Sequence, residues 1–292
     1  MEKFKLLKDD EIEIIKRKDI KKILLIGGSD TGKTTLIMDI ANILIKGKNK
    51  VFIIDSDVGQ SHIGPPTTIG IAEIKNGVSN ISKIKEDEIY FVGSITPSGN
   101  ILGMITGIKK MSNYRWKDKL LIDTTGYIND PLAIYLKIHK IEILKPDLVI
   151  LLEKGNELEL IKKFIKFSSV NLINIKVPEI IPSKSMEERA NYRKRKFIEY
   201  FKNSREEKIE FDNLSIKIIG FRYIKQLEEI FSLNLKGALV SFFDKEFKDI
   251  SLGLILDKNE KCLKIATPLR NFSEIKGITI SNFFLNPEEV LI

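Results

Sequence analysis

Gly27, Gly28, Ser29, Asp30, Thr31, Gly32, Lys33, Thr34 and Thr35 form an unbroken run in this chain. Within it, Gly27-x4-Gly32-Lys33-Thr34 has the spacing of a phosphate cradle. Glycines let the backbone turn sharply and aim its N–H groups at phosphate oxygens. A following helix N-terminus adds partial positive charge, Lys33 can reach the β- and γ-phosphates, and the Thr34 hydroxyl can ligate Mg²⁺. The run therefore predicts a site for a nucleoside triphosphate, ATP or GTP, with Mg²⁺. What receives the γ-phosphate must be read elsewhere.

Two further segments carry carboxylates at the ends of apolar runs. Ile53-Ile54-Asp55-Ser56-Asp57-Val58-Gly59-Gln60 offers Asp55 for Mg²⁺, Asp57 to deprotonate an acceptor hydroxyl, and Gln60 to orient a nucleophile or touch a phosphate. Leu120-Leu121-Ile122-Asp123-Thr124-Thr125-Gly126-Tyr127 ends in the usual Mg²⁺-side carboxylate of P-loop proteins. Its Asp123-x-x-Gly126 also looks like the γ-phosphate-sensing segment of GTPases. Asp55 and Asp123 both stay open as the main metal-side carboxylate.

These residues need strand ends to hold them. Strands are expected at Ile23–Ile26, Val51–Ile54, Ile89–Val92, Leu120–Ile122, Leu148–Leu152 and Val170–Ile175. Helices are expected at Thr34–Ile45, Asn100–Met111, Pro131–Leu144, Glu157–Phe167 and Met186–Phe201. Alternation of this kind implies an α/β fold, a mostly parallel P-loop NTPase sheet with helices on both faces. Ligands in such sheets sit at the carboxyl ends of strands. A short charged segment, 1–20, precedes the domain, with a strand or hairpin expected around Glu11–Ile15. The P-loop domain spans 21–204. Residues 205–292 read as a small β-rich domain, with strands at Leu214–Ile219, Ala238–Phe243, Leu252–Leu256, Leu263–Ala266 and Ile278–Ser281, and a hairpin connection at Leu256–Lys261.

Composition narrows the class. The chain has 292 residues, 43% hydrophobic and 30% charged, which suits a filled core beneath a charged surface. Its net charge of +8 gives modest support to a polyanionic partner. The single cysteine, Cys262, excludes an intrachain disulfide, and with only His62 and His139 a Cys- or His-based metal site is not expected. The N-terminus lacks a signal-peptide core and no apolar run reaches membrane-spanning length. A soluble, cytoplasmic protein without membrane contact is expected.

Asp55-x-Asp57-x-Gly59-Gln60 followed by Gly64-Pro65-Pro66-Thr67-Thr68-Ile69-Gly70 resembles the P-loop polynucleotide 5′-hydroxyl kinases. That family includes the eukaryotic RNA kinases of pre-mRNA cleavage and ribosomal RNA processing, and archaeal relatives. The resemblance implies that Asp57 lies at the acceptor hydroxyl and that Thr124, Gly126 and Tyr127 form a clasp on the terminal nucleotide. It further implies a lid helix near 185–203, whose Arg189 and Arg193 close over the triphosphate. Residues four apart share a helical face, so both guanidiniums could reach the same phosphates; a solvated basic face is the alternative. About twenty residues stand where the eukaryotic members carry a large N-terminal β-domain, and protein partners stay unknown. Expected, then, is transfer of the γ-phosphate of ATP or GTP to the 5′-hydroxyl of RNA, and of DNA as a second substrate. The competing reading is a P-loop ATPase or GTPase switch acting on a protein partner, against which no N-K-x-D guanine-reading segment is present.

Overall fold

The first buried strand, β1 (Lys22–Gly27), lies between two parallel partners, β5 (Lys119–Thr124) and β6 (Leu148–Glu153). The computed structural model describes residues 6–291 except 76, 78, 79, 115, 117, 179–183, 211–213, 222–228, 230, 231 and 260. Outward from this centre run β7 (Asn171–Lys176) beside β6 and β2 (Val51–Ser56) beside β5, both parallel. Successive side chains of a strand point to opposite faces, so each central strand feeds two cores. Ile23, Leu25, Val51, Ile53, Leu121 and Ile150 pack beneath α1 (Asp9–Lys16) and α2 (Lys33–Lys46). Leu24, Ile26, Phe52, Ile54, Ile122 and Leu151 pack beneath α3 (Ile101–Ser112), α4 (Pro131–Leu144) and α5 (Glu159–Ile165). Helices therefore cover both faces of an α/β sheet. Among the described residues, no helix is long and apolar enough to cross a membrane.

Beyond β2 the sheet turns antiparallel. β3 (Thr68–Ile74) and β4 (Glu88–Phe91) follow, and β4 meets β11 (Asp249–Lys258) at the pair Asp249↔Ile89. The strand β3 was not among those expected from the sequence. Gly70 is needed within it, since a Cβ there would lie 2.3 Å from the Ile63 carbonyl oxygen. Strands β10 (Ala238–Phe243), β13 (Gly277–Phe284) and β9 (Ser215–Ile219) continue from β11, while β12 (Cys262–Thr267) pairs β11 and carries β8 (Arg205–Glu210). Strand β8, Arg-Glu-Glu-Lys-Ile-Glu, is a charged edge that sequence patterning did not suggest. In the β11–β12 turn, Asn259 Oδ1 accepts from the Lys261 and Cys262 N–H groups at 3.0 and 2.8 Å. Met1–Lys5 of the expected lead-in and Glu260 of the expected connection lie outside the described residues.

The final described helix of the P-loop region, α6 (Met186–Phe201), bridges the two parts of the sheet. Its Phe197 and Phe201 are buried with Ile89, Phe91, Leu239, Leu252 and Leu254. A capping box starts it, Ser185 Oγ accepting from Glu188 N at 3.1 Å and Glu188 Oε2 from Ser185 N at 2.7 Å. The C-terminal strands thus grip one end of α6 and leave its first turns free to reach the P-loop.

Glu11–Ile15 is helical, contrary to the strand or hairpin expected there. Its short Glu-Ile alternation fits either period, and three acids in the first turn with one buried isoleucine, Ile15, favour the helix. Lys119, itself buried, ties down the exit of α1 by donating to the carbonyls of Ile15, Arg17 and Ile20 at 3.0, 2.7 and 2.6 Å. Replacing Lys119 by Met is expected to cost roughly 1–3 kcal/mol, because those carbonyls lose their shared donor. Urea denaturation measures it, and an unchanged midpoint would show the anchor to be dispensable.

Candidate active site

Strand β1 ends at Gly27 and α2 begins at Lys33, so the phosphate-binding run is the turn between them. Gly32 adopts φ 84°, a conformation glycine tolerates, and it precedes the first helical residue. Thr31 Oγ1 donates to Gly28 O at 3.0 Å and Lys33 Nζ donates to the same oxygen at 2.5 Å. Lys33 is buried, which pushes its ammonium pKa below the usual lysine range, while Asp123, Asp57 and Asp30 support its charge. Ser29, Asp30, Thr31, Gly32, Lys33, Thr34 and Thr35 line a cavity of about 370 Å³. Gly27 and Gly28 are not among the residues that line it. Gly126 abuts the turn so closely that a Cβ there would lie 2.5 Å from Ser29 N.

Strands β2 and β5 end side by side, pairing Asp55 with Asp123 and Ser56 with Thr124. The two acids nevertheless face different surroundings. Asp123 lines the cavity, and its Oδ2 accepts from Thr34 Oγ1 at 3.0 Å. Burial and the neighbouring Asp55 charge raise the Asp123 carboxyl to about 6, with Lys33 opposing them. Asp55 is buried and absent from the cavity lining. Its Oδ1 accepts from Asp57 N at 2.9 Å, and its Oδ2 accepts from His62 N at 2.6 Å and Ile63 N at 3.1 Å. Burial pushes its pKa up as well. It is the anchor of the 57–63 loop.

That loop presents Asp57 to the cavity. Gly59 N and Gln60 N donate to Asp57 Oδ1 at 3.1 and 3.0 Å, so both turn bonds fall on one oxygen. Gln60 also lines the cavity; its Nε2 donates to Gly59 O at 2.9 Å and to Arg189 O at 3.3 Å. Gln60 Oε1 is a buried oxygen with no hydrogen-bond partner among the described residues. Thr124 lines the cavity too, though its hydroxyl donates to Leu25 O at 2.8 Å. Tyr127 lies outside the lining, with its hydroxyl held by Asp130, which pushes its pKa up to about 12.

Helix α6 delivers Arg189 but not Arg193 to this cavity. Arg189 Nη2 pairs with Asp30 Oδ2 of the P-loop, and Arg189 Nε donates to Lys184 O at 3.2 Å. Lys184 N donates to the same Asp30 oxygen at 3.1 Å. One turn later, Arg193 lines a separate cavity with Ile95, Ala190, Phe197 and Phe283. Burial and the Arg189 charge lower its pKa, while Asp57 acts the other way, so Arg193 still feels the Asp57 carboxylate. His62 and Lys184 also line the donor cavity and were not singled out from sequence. His62 follows Gln60 by two residues and stacks obliquely on Tyr192 at 5.7 Å, a contact visible only once α6 is docked.

Thr34 and Asp123 present a hydroxyl and a carboxylate oxygen to the cavity. Hard oxygen donors of this kind suit Mg²⁺, which commonly takes one or two carboxylates and completes its shell with phosphates and water. The residues present therefore fit that ion.

Fold and cavity together define a P-loop nucleotide-binding protein. A family model for the mRNA cleavage and polyadenylation factor CLP1 P-loop matches residues 27–203, and the chain belongs to that family. It is 43% identical to the polyribonucleotide 5′-hydroxyl-kinase of Methanocaldococcus jannaschii over 72% of this chain and 57% of that protein. The chain thus spans little more than half the length of that relative. The polyribonucleotide 5′-hydroxyl-kinase of Pyrococcus abyssi is 37% identical over 94% of this chain and 90% of that protein. In fold, the chain is similar to wild-type Clp1p as solved in complex with Pcf11p, with TM-score 0.70 and 14% identity over 94% of this chain and 77% of that one.

Proposed function

We propose that this protein is a polynucleotide 5′-hydroxyl kinase that transfers the γ-phosphate of ATP or GTP to the 5′ end of RNA, and of DNA as a second substrate. The carrying observation is Asp57, a carboxylate fixed by its own loop amides on the cavity that the P-loop lines. The activity named for the archaeal relatives supports the same reading. Asp57 takes the proton of the 5′-hydroxyl as its oxygen attacks the γ-phosphorus. The bond to the β–γ bridging oxygen breaks, leaving a nucleoside diphosphate and a 5′-phosphorylated end. Lys33 and Arg189 bear on the phosphate charge from two sides. Thr34 and Asp123 would hold Mg²⁺, which when bound would neutralise charge on the phosphates. Asp55 then serves the loop rather than the metal. Thr124, Gly126 and Tyr127 bound the terminal nucleotide, and Arg193 approaches from the Asp57 side.

Incubating the full chain with Mg²⁺, γ-labelled ATP or GTP and a 5′-hydroxyl RNA or DNA oligonucleotide is expected to label the oligonucleotide end. Nucleotide hydrolysis with unlabelled oligonucleotide would favour the switch, to which the contact of Gly126 with the P-loop Ser29 lends itself.

A further inference from the structure

Two lysines lie where an apolar helix meets the site from below. Lys137 and Lys140 in α4 are both fully buried, among Leu136, Ile141 and Leu144 on the same helix. Residues three apart on a helix are neighbours, so the two ammonium groups enter the core together. Burying an unpaired ammonium is strongly unfavourable even after the surroundings relax. A methionine would fill either position without that cost, so the charges call for a role.

Their partners supply one. Lys140 Nζ donates to Ser56 Oγ at 3.0 Å, and Ser56 Oγ donates to Asp123 O at 2.7 Å. A hydroxyl has one proton, so its bond to the Asp123 carbonyl leaves it an acceptor toward Lys140. This chain joins the ends of β2 and β5 at the residue between Asp55 and Asp57. Lys137 Nζ donates to Thr125 O at 2.6 Å and to Thr125 Oγ1 at 3.2 Å, just after Asp123 and Thr124. Asp57, Asp123 and Asp55 all support the charge on Lys140; burial still lowers its pKa to about 8. The ammonium therefore also offsets the mutual repulsion of three carboxylates gathered at adjoining strand ends.

The geometry points to Lys140 as a positioning residue that, through Ser56, sets where Asp57 meets the acceptor hydroxyl, with Lys137 holding the Thr125 side of the same strand ends. Neither lysine touches substrate in this reading. It rests on the kinase proposal, because the quantity that Lys140 controls is the alignment of Asp57 with a 5′-hydroxyl. Misplacing a reacting group by about 1 Å can cost about 10²-fold in rate.

The test uses the whole chain of 292 residues, comparing Lys140→Met, Ser56→Ala and the double variant with wild type in steady-state transfer to a 5′-hydroxyl RNA. Lys140→Met should lower kcat by about 10- to 100-fold while leaving KM for the nucleotide close to the wild-type value. Ser56→Ala should lower kcat in the same direction. The double variant should fall no further than the worse single variant, since both break one link. Melting temperatures accompany each measurement, and Ser56→Ala reports on the link should Lys140→Met not fold. A folded Lys140→Met or Ser56→Ala with wild-type kcat would overturn the positioning role. So would effects that add in the double variant, or a loss that appears equally in nucleotide KM. Wild-type chain that binds nucleotide but labels no oligonucleotide would instead overturn the kinase reading, and the positioning role with it.

Discussion

Asp57→Asn is expected to keep nucleotide affinity and lose transfer, by about 10²- to 10⁴-fold in kcat, the range for removing a general base. Asparagine is the informative replacement because of how Asp57 is held. Gly59 and Gln60 donate only to Oδ1, and the side-chain carbonyl of asparagine can accept both bonds. The turn should then survive, and with it the position of Gln60. What disappears is the ability to accept a proton. The P-loop contacts, through Lys33 and the amides of the turn, are left as they were, so nucleotide titration should give nearly the wild-type dissociation constant. Transfer at the wild-type rate would remove Asp57 from the mechanism. Loss of nucleotide binding would mean that Asp57 serves the donor side instead.

Local signals in the sequence told most where they were self-contained. Asp130 caps Ala133 N at 2.9 Å ahead of Pro131, and the Ser185–Glu188 box starts α6; both helices begin and end at the expected residues. The phosphate-binding turn was legible for the same reason, since strand, glycines and helix adjoin. Where burial or a distant partner decides, the sequence was silent. Asp55 and Asp123 look alike as strand-end acids, yet only the fold shows that three loop amides occupy Asp55 while Thr34 reaches Asp123. Arg189 and Arg193 have the spacing of a shared face, but a four-residue step also climbs a full helical turn. That climb carries Arg193 into a different cavity. Lys137 and Lys140 were not singled out, because nothing in α4 itself announces that Ser56 and Thr125 await them.

Arg189→Ala is expected to reduce kcat by about 10³-fold or more, as for other arginines that neutralise a transferring phosphoryl group. The side chain is committed on two edges, Nη2 to Asp30 and Nε to the Lys184 carbonyl. Among the described residues its remaining donors have no partner to hold them, so they can follow the γ-phosphate as charge develops during transfer. Because Asp30 belongs to the P-loop itself, the pair fixes the guanidinium relative to the nucleotide and not merely to the lid. Arg189→Lys should therefore recover little, since a single ammonium cannot hold Asp30 and a phosphate in the same geometry. Arg193→Ala supplies the contrast. It removes a cation that faces Asp57 from outside the donor cavity, and its loss should be smaller, about tenfold, with the shift seen in KM for the oligonucleotide. Single-turnover transfer at saturating nucleotide separates the two. Equal losses would return both arginines to one shared role, and a larger loss for Arg193 would reverse the assignment.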